Sequence, residues 1–322
     1  GEFCYHTKIT TKYKVRGTKN GDVLLQDSKR VVNCNNNSNK ADVLVSLDQL
    51  QSQLPNLEWV SVIVNWFGDS MDIANCSIFP ACEYNDYNMV TLPDEWRVAG
   101  KKRTQTRVVG KDSSGNLRYG GTPSDGSVIA LLSELKNRGL KVAFTPMLMM
   151  DCDQKPWRGR LTGLHSNISN FFHKNDGYNA FIKHYANLTK GLADCFVIGT
   201  EMVGLTKINQ NNTFPAVDEF CSLANEIRSI VGTSTKLTYA ADWSEYHHTE
   251  GGFYNMDKLW ANGNIDFIGL DAYFPLTQKN SQPLISEIEN GWNSGEGWDF
   301  YYNWERTQKF PLSPEWAWKN IR

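Results

Sequence analysis

Five apolar runs recur along the chain, and all but the second end in a polar or aromatic residue: Trp59 to Trp66, Lys141 to Met149, Cys195 to Glu201, Lys236 to Trp243 and Ile265 to Tyr273. Their apolar character is nearly continuous rather than alternating, as in parallel strands buried on both faces. Helix-period segments lie between them. Asp42 to Leu54 carries Val43, Leu47, Leu50 and Leu54 on one face, and Pro55 ends it. Thr122-Pro-Ser-Asp gives the N-cap signal of a helix with Val128, Ile129, Leu132 and Leu135 as its core stripe, stopped by Gly139. Further helices are expected over Tyr178 to Leu192, over Val217 to Val231 before Gly232, and briefly over Asn255 to Trp260. Strand and helix in alternation predict a parallel sheet with right-handed crossovers.

Other stretches are less regular. Residues 1 to about 40 read as polar and irregular, ending in the Asn-rich Asn33 to Asn39. Residues 69 to 120 hold hairpin or short-strand patterns around Asp112-Ser-Ser-Gly, and a second barrel strand is expected within them. After Tyr273 only a weak helix, Leu284 to Glu289, and an aromatic, turn-rich tail follow. The division is therefore a lead-in over residues 1–55 and a barrel domain over 56–322, with strands seven and eight missing. The alternative, an open doubly wound sheet, lacks a GxGxxG or GxxxxGK[ST] loop after the first strand.

The bulk numbers exclude several classes. A 322-residue chain with 40% hydrophobic and 21% charged residues is globular in composition. A net charge of −2 exerts no general pull on nucleic acid or anionic lipid, and the Lys101-Lys-Arg run reads as a solvated hairpin or loop. No apolar run approaches the ~20 residues of a membrane helix. Gly1-Glu-Phe is neither a signal peptide nor an initiator-Met start, so the chain reads as an excised or processed piece. Seven cysteines form no CxxC pair and the six histidines no HExxH. The thiols are expected mostly reduced, His247-His248 reads as a solvated loop, and no metal or cofactor is called for.

Strand ends of this kind place side chains at one mouth of a β/α barrel. Glu201 ends the third of the five runs, where a carboxylate can do acid/base work or, equally, pair with an Arg. Glycoside hydrolysis needs two carboxyl groups and aromatic platforms for sugar faces. Trp66, Trp243, Tyr246 and Tyr273 are the candidate platforms. Asp242, Glu245 and Asp271 are candidate acceptors for sugar hydroxyls. Asp151 and Asp153, after the Lys141 run, read as loop or capping residues.

A set of motifs carries a family resemblance. Tyr119-Gly-Gly-Thr-Pro-Ser-Asp, Leu148-Met-Met-Asp, Pro156-Trp-Arg-Gly-Arg, Ile198-Gly-Thr-Glu-Met, Tyr239-Ala-Ala-Asp-Trp-Ser-Glu-Tyr, Asp266-Phe-Ile-Gly-Leu-Asp and Gly295-Glu-Gly-Trp-Asp-Phe-Tyr-Tyr resemble, in order, the glycoside-hydrolase TIM-barrel-like domain of phage-tail and gene-transfer-agent host-specificity (baseplate hub) proteins. The opening Gly1-Glu-Phe-Cys-Tyr-His-Thr resembles the stretch before that domain. The resemblance implies a (β/α)8 barrel at a tail tip, with other baseplate proteins and cell-envelope glycan or peptidoglycan as partners. It implies assembly in the bacterial cytoplasm. It makes Glu201 the counterpart of the fourth-strand acid/base. Two departures stand out: Thr200 occupies the place where related glycosidases carry Asn, and the family's seventh-strand Glu has no counterpart before Arg322. Two classes follow, a retaining glycosidase and a tail module that keeps a sugar-shaped cleft without turnover.

Overall fold

The computed structural model describes residues 8–15, 23–85, 89–92, 95–277, 282–293 and 300–311. The Gly1 and Gly295 motifs lie outside the described residues, apart from Phe300 to Tyr302 of the latter.

The chain opens with β1 (Lys8–Val15), β2 (Val23–Val31), α1 (Asp42–Gln53) and β3 (Trp59–Gly68). Short strands follow: β4 (Ile78–Phe79), β5 (Ala81–Cys82), β6 (Met89–Leu92), β7 (Arg97–Val98), β8 (Lys101–Lys102) and β9 (Arg107–Val108). Next come α2 (Asp125–Asn137), β10 (Lys141–Met150), α3 (Ile168–His173), α4 (Tyr178–Leu188), β11 (Cys195–Thr200), α5 (Val203–Thr206) and α6 (Pro215–Val231). The last elements are β12 (Lys236–Asp242), α7 (Asp257–Trp260), β13 (Gly269–Asp271), α8 (Ile285–Asn293), β14 (Phe300–Tyr302) and β15 (Lys309–Pro311).

All five apolar runs are strands of one sheet, ordered β13-β12-β11-β10-β3, every neighbouring pair parallel. This is the TIM-barrel-like arrangement the sequence predicts. It is incomplete: among the described residues the sheet does not close, and beyond β3 only the antiparallel β4 pairs, at Phe67 and Gly68.

Three expectations change. Among the described residues no strand of 69 to 120 enters between the first two runs, because β3 and β10 pair directly in an unbroken register from Trp59–Lys141 to Gly68–Met150, and the parallel pair β5 and β9 forms a separate two-stranded sheet. Glu201 consequently follows the third parallel strand rather than a fourth. The lead-in is not irregular either: β1 pairs antiparallel with β2 and with β6. Even the Asn-rich stretch is tied down, for Asn35 and Asn36 donate to the Asp42 carboxylate at the start of α1 (2.7–2.8 Å). The 69–120 connection is instead a packed cover. Trp96 is fully buried and donates to the Thr122 carbonyl (2.8 Å), while the Thr122 hydroxyl donates to the Asn65 carbonyl (2.9 Å). Arg103 is buried beside Trp96, so the basic run is solvated only at Lys101 and Lys102. Cys76 and Cys82 are buried thiols.

The core sits between the sheet and its helices. Ser124 caps α2 by accepting from Ser127 N (3.1 Å), and Gly139 takes the left-handed conformation (φ 76°) that ends the turn. Val128, Leu132 and Leu135 face inward as expected, but Ile129 is half-exposed. The α4 and α6 helices bring Tyr178, Phe181, Tyr185 and Phe220 onto Phe144, Phe196 and Tyr239 of the strands, in edge and stacked contacts of 5.0–6.1 Å.

Candidate functional site

Five strands and their ends deliver side chains to one cleft of about 480 Å³, lined by Ile63 of β3, Met147 of β10, Glu201 beyond β11, Asp242 of β12, and Asp271 and Tyr273 at β13, with Trp157 and Arg158 from the loop after β10. Strand parity explains the membership. Successive residues face opposite sides of a sheet, so with Ile63 in the cleft, Val62, Val64 and Trp66 turn toward the helices. Asp271 and Tyr273 share a side.

Glu201 is the most constrained member. The pairing of β11 with β12 shifts between Val197 and Thr200, and Glu201 then adopts φ 49°. A left-handed non-glycine residue costs on the order of 1–3 kcal/mol and persists where its surroundings fix it. They do so here. Glu201 N donates to the Ala240 carbonyl (2.9 Å), and Met202 N donates to the Tyr239 hydroxyl (2.8 Å). The carboxylate is nearly buried, and its Oε2 accepts from Trp157 Nε1 (2.6 Å) and from Arg158 Nη2 (2.8 Å). Arg158 is itself held by Thr200, its Nε donating to the Thr200 hydroxyl (2.7 Å) and carbonyl (2.9 Å). Thr200, the departure from the glycosidase pattern, thus orients the guanidinium that pairs with Glu201.

The second carboxyl is Asp271. Its pKa is pushed up to about 7, first by burial, then by a hydrogen bond with the Glu201 carboxylate and by the charge of Glu201. Two carboxylates in contact cannot both ionise cheaply. Asp271, whose pKa is the raised one, is the carboxyl that holds a proton near neutral pH. Asp242, on the neighbouring strand, accepts from Ser244 N (2.9 Å) and from its hydroxyl.

Several expected site residues lie elsewhere. Trp66 is buried on the helix side, donating to the Tyr185 hydroxyl (3.0 Å) and stacked on Phe181 (5.1 Å). It does not reach the cleft. Trp243 has the opposite parity to Asp242 and packs edge-on against Phe274 (6.3 Å). Glu245 is fully buried beneath the cleft floor. Its carboxyl accepts from Thr206 (2.6 Å), Tyr239 (2.9 Å) and Asp242 N (3.1 Å), and burial nevertheless raises its pKa to about 7. It braces the strand ends and meets no ligand. Asp151 pairs with Arg118 (3.2 Å), and Asp153 pairs with it too, as loop residues. Among the described residues no group of His, Cys, Asp and Glu is arranged to hold a metal.

Trp157 and Arg158 were missed as site residues. Their signal was the Pro156-Trp-Arg-Gly-Arg motif, whose one aromatic and two cations sit just after a core strand.

Residues 176–310 match the GTA TIM-barrel-like domain. That match bears out the family resemblance and takes in Glu201, Asp242, Asp271 and Tyr273, while Ile63, Met147, Trp157 and Arg158 precede it. Among solved structures the chain is similar to a GH113 β-1,4-mannanase (19% identity over 73% of this chain and 57% of that one, TM-score 0.45). It is also similar to the GH113 β-mannanase AaManA from Alicyclobacillus acidocaldarius (17% identity, 72% and 55%, TM-score 0.43). A third is the chitinase RmChi1 from Rhizomucor miehei (14% identity, 58% and 56%, TM-score 0.31). The chain spans just over half the length of each. No curated protein matches.

Proposed function

We propose that this chain is a glycan-binding barrel domain of a phage-tail-like or gene-transfer-agent tail tip. It is assembled in the bacterial cytoplasm with other tail and baseplate proteins and docks on cell-envelope glycan without turning it over. The match to a GTA TIM-barrel-like domain supports the setting. One observation carries the reading of the cleft: Asp271 is hydrogen-bonded to Glu201, which is also tied to Arg158 and Trp157.

A retaining glycosidase keeps its two carboxyl groups ~5–5.5 Å apart, and an inverting one farther, so that the sugar carbon lies between them. Here the Glu201 carboxylate is instead held by Trp157 and Arg158. What remains is a polar cleft with an exposed Tyr273 ring and a half-exposed Trp157 indole at its rim, suited to a sugar face and its hydroxyls.

The test uses the 322-residue chain, purified intact, against peptidoglycan sacculi and aryl-glycosides. Saturable binding is expected, weakened by Trp157→Ala, with no release of reducing ends above a blank. Hydrolysis well above blank that is lost in Glu201→Gln would overturn the reading and restore the retaining glycosidase.

A further inference from the structure

A second groove, of about 400 Å³, shares no lining residue with the carboxylate cleft. It is built where the loop after β11 enters α6 and the loop after β12 enters α7, with the β14–β15 hairpin as its outer wall. Phe214 and Phe253 meet edge-to-face (5.6 Å) on its inner side, and the Arg306 guanidinium covers the Phe253 ring at 3.9 Å. The rim carries Asp218, Asp257, Lys258 and Trp304.

The hairpin is fixed in place. The Tyr254 hydroxyl donates to the Tyr302 carbonyl (2.8 Å) and accepts from Tyr302 N (2.9 Å). A Cβ at Gly252 would come within 2.7–2.9 Å of the Tyr302 ring, so that position needs glycine for the close approach. The turn is tightened by the Asn303 Oδ1, which accepts from Thr307 N (2.8 Å) and Gln308 N (2.9 Å). This anchored turn presents Trp304 at 82% exposure, the most exposed of the large apolar side chains described. Folding gains nothing from an indole left in water. A rigid, exposed indole over a ring-lined groove is how a protein offers a flat apolar face to a ligand.

Charge narrows the ligand class. Two carboxylates and two cations line the groove, and Lys258 pairs with Asp218, so the groove carries no net charge. It therefore exerts no selective attraction on a polyanion. Its polar groups are suited to many hydroxyls, and its volume falls in the roughly 300–1,000 Å³ range of small-molecule sites.

We propose that this groove is a second glycan site, taking a neutral oligosaccharide with one sugar face on Trp304. It does not depend on the reading of the carboxylate cleft.

Isothermal titration calorimetry of the full chain with chitohexaose and with mannohexaose tests it, with a sulfated heparin hexasaccharide as the anionic arm. At least one neutral hexasaccharide should bind a class of sites that Trp304→Ala weakens tenfold or more. Arg306→Ala should weaken the same class, and Asp271→Asn should leave it unchanged. Trp304 is solvent-exposed, so its variant keeps the fold, which circular dichroism checks. The proposal is overturned if neither neutral sugar binds at millimolar concentration, if binding is the same in Trp304→Ala as in the parent, or if only the heparin fragment binds. Binding abolished by Asp271→Asn but indifferent to Trp304→Ala would leave the cleft reading standing and remove this one.

Discussion

Glu245→Gln isolates the energetics of the buried brace under the cleft. The carboxyl of Glu245 lies at 3% exposure and accepts three hydrogen bonds, yet burial lifts its pKa from 4.5 to about 7. Its folded-state pKa is above its unfolded one, so between these values the native chain holds a proton the unfolded chain has lost. Stability from this site is therefore fully present below about pH 4.5 and declines as pH rises through about 7. At ~1.4 kcal/mol per pH unit, the gap between 4.5 and about 7 sets an upper bound of about 3.5 kcal/mol on the decline. Glutamine has the same shape and does not titrate. Its amide must set a donor against Thr206, Tyr239 or Asp242 N, a loss of about 1–3 kcal/mol at every pH. Urea denaturation of both proteins at pH 5, 6, 7 and 8 reads the difference directly, and the titration of Asp271 cancels because both chains retain it. The parent is expected to lead at pH 5 and to lose most or all of that lead by pH 8. A difference that stays constant across the series, or that widens as pH rises, refutes the assignment of a raised pKa to Glu245.

Three further outcomes are expected. Arg158→Lys should destabilise the chain by about 2–4 kcal/mol in denaturant, since an ammonium cannot hold Thr200 and Glu201 at once and leaves a buried carboxylate poorly compensated. Phe181→Ala, emptying a fully buried position against Trp66, Tyr178 and Tyr185, should cost about 3–5 kcal/mol by the same measurement. Asp271→Asn should flatten the pH dependence of glycan binding to the cleft, which in the parent changes around pH 7 as Asp271 loses its proton; unchanged pH dependence counts against a proton on Asp271.

The strands were legible because parallel strands packed on both faces read as long, nearly continuous apolar runs, and all five runs are strands of the sheet. Which residue at each strand end would face the cleft was not legible from the runs alone. The answer depends on parity, and parity depends on a register the sequence does not print. One residue's difference sent Trp66 into the helix layer while Ile63 faced the cleft, and Trp243 away from Asp242. Glu201, Asp242, Asp271 and Tyr273 do line the cleft, their strand ends presenting them to that side. Glu245 failed for another reason: it lies in the turn after β12, where no periodicity applies, and Thr206 and Tyr239 draw it inward. The lead-in strands pair with one another and with β6, a long-range register that no local run displays.

The strained backbone at Glu201 and the Thr200–Arg158 contact belong to one arrangement. A left-handed glutamate turns its carboxylate back toward the loop after β10, where Trp157 and Arg158 wait as donors. Thr200 can fix Arg158 because its hydroxyl and its carbonyl point the same way at the shifted end of β11. An Asn in that position would offer a longer amide in place of the hydroxyl, and the Arg158 Nε would lose the short contact that aims its guanidinium at Glu201. The substitution that departs from the glycosidase pattern is thus the one that immobilises the carboxylate. Immobilisation next to a cation suits a group that accepts hydrogen bonds from sugar hydroxyls and ill suits one that must give up a proton. Thr200→Asn is consequently the change that would loosen Arg158 from Glu201 and weaken glycan binding to the cleft, and unchanged binding in that variant would refute the part given to the Thr200–Arg158 contact.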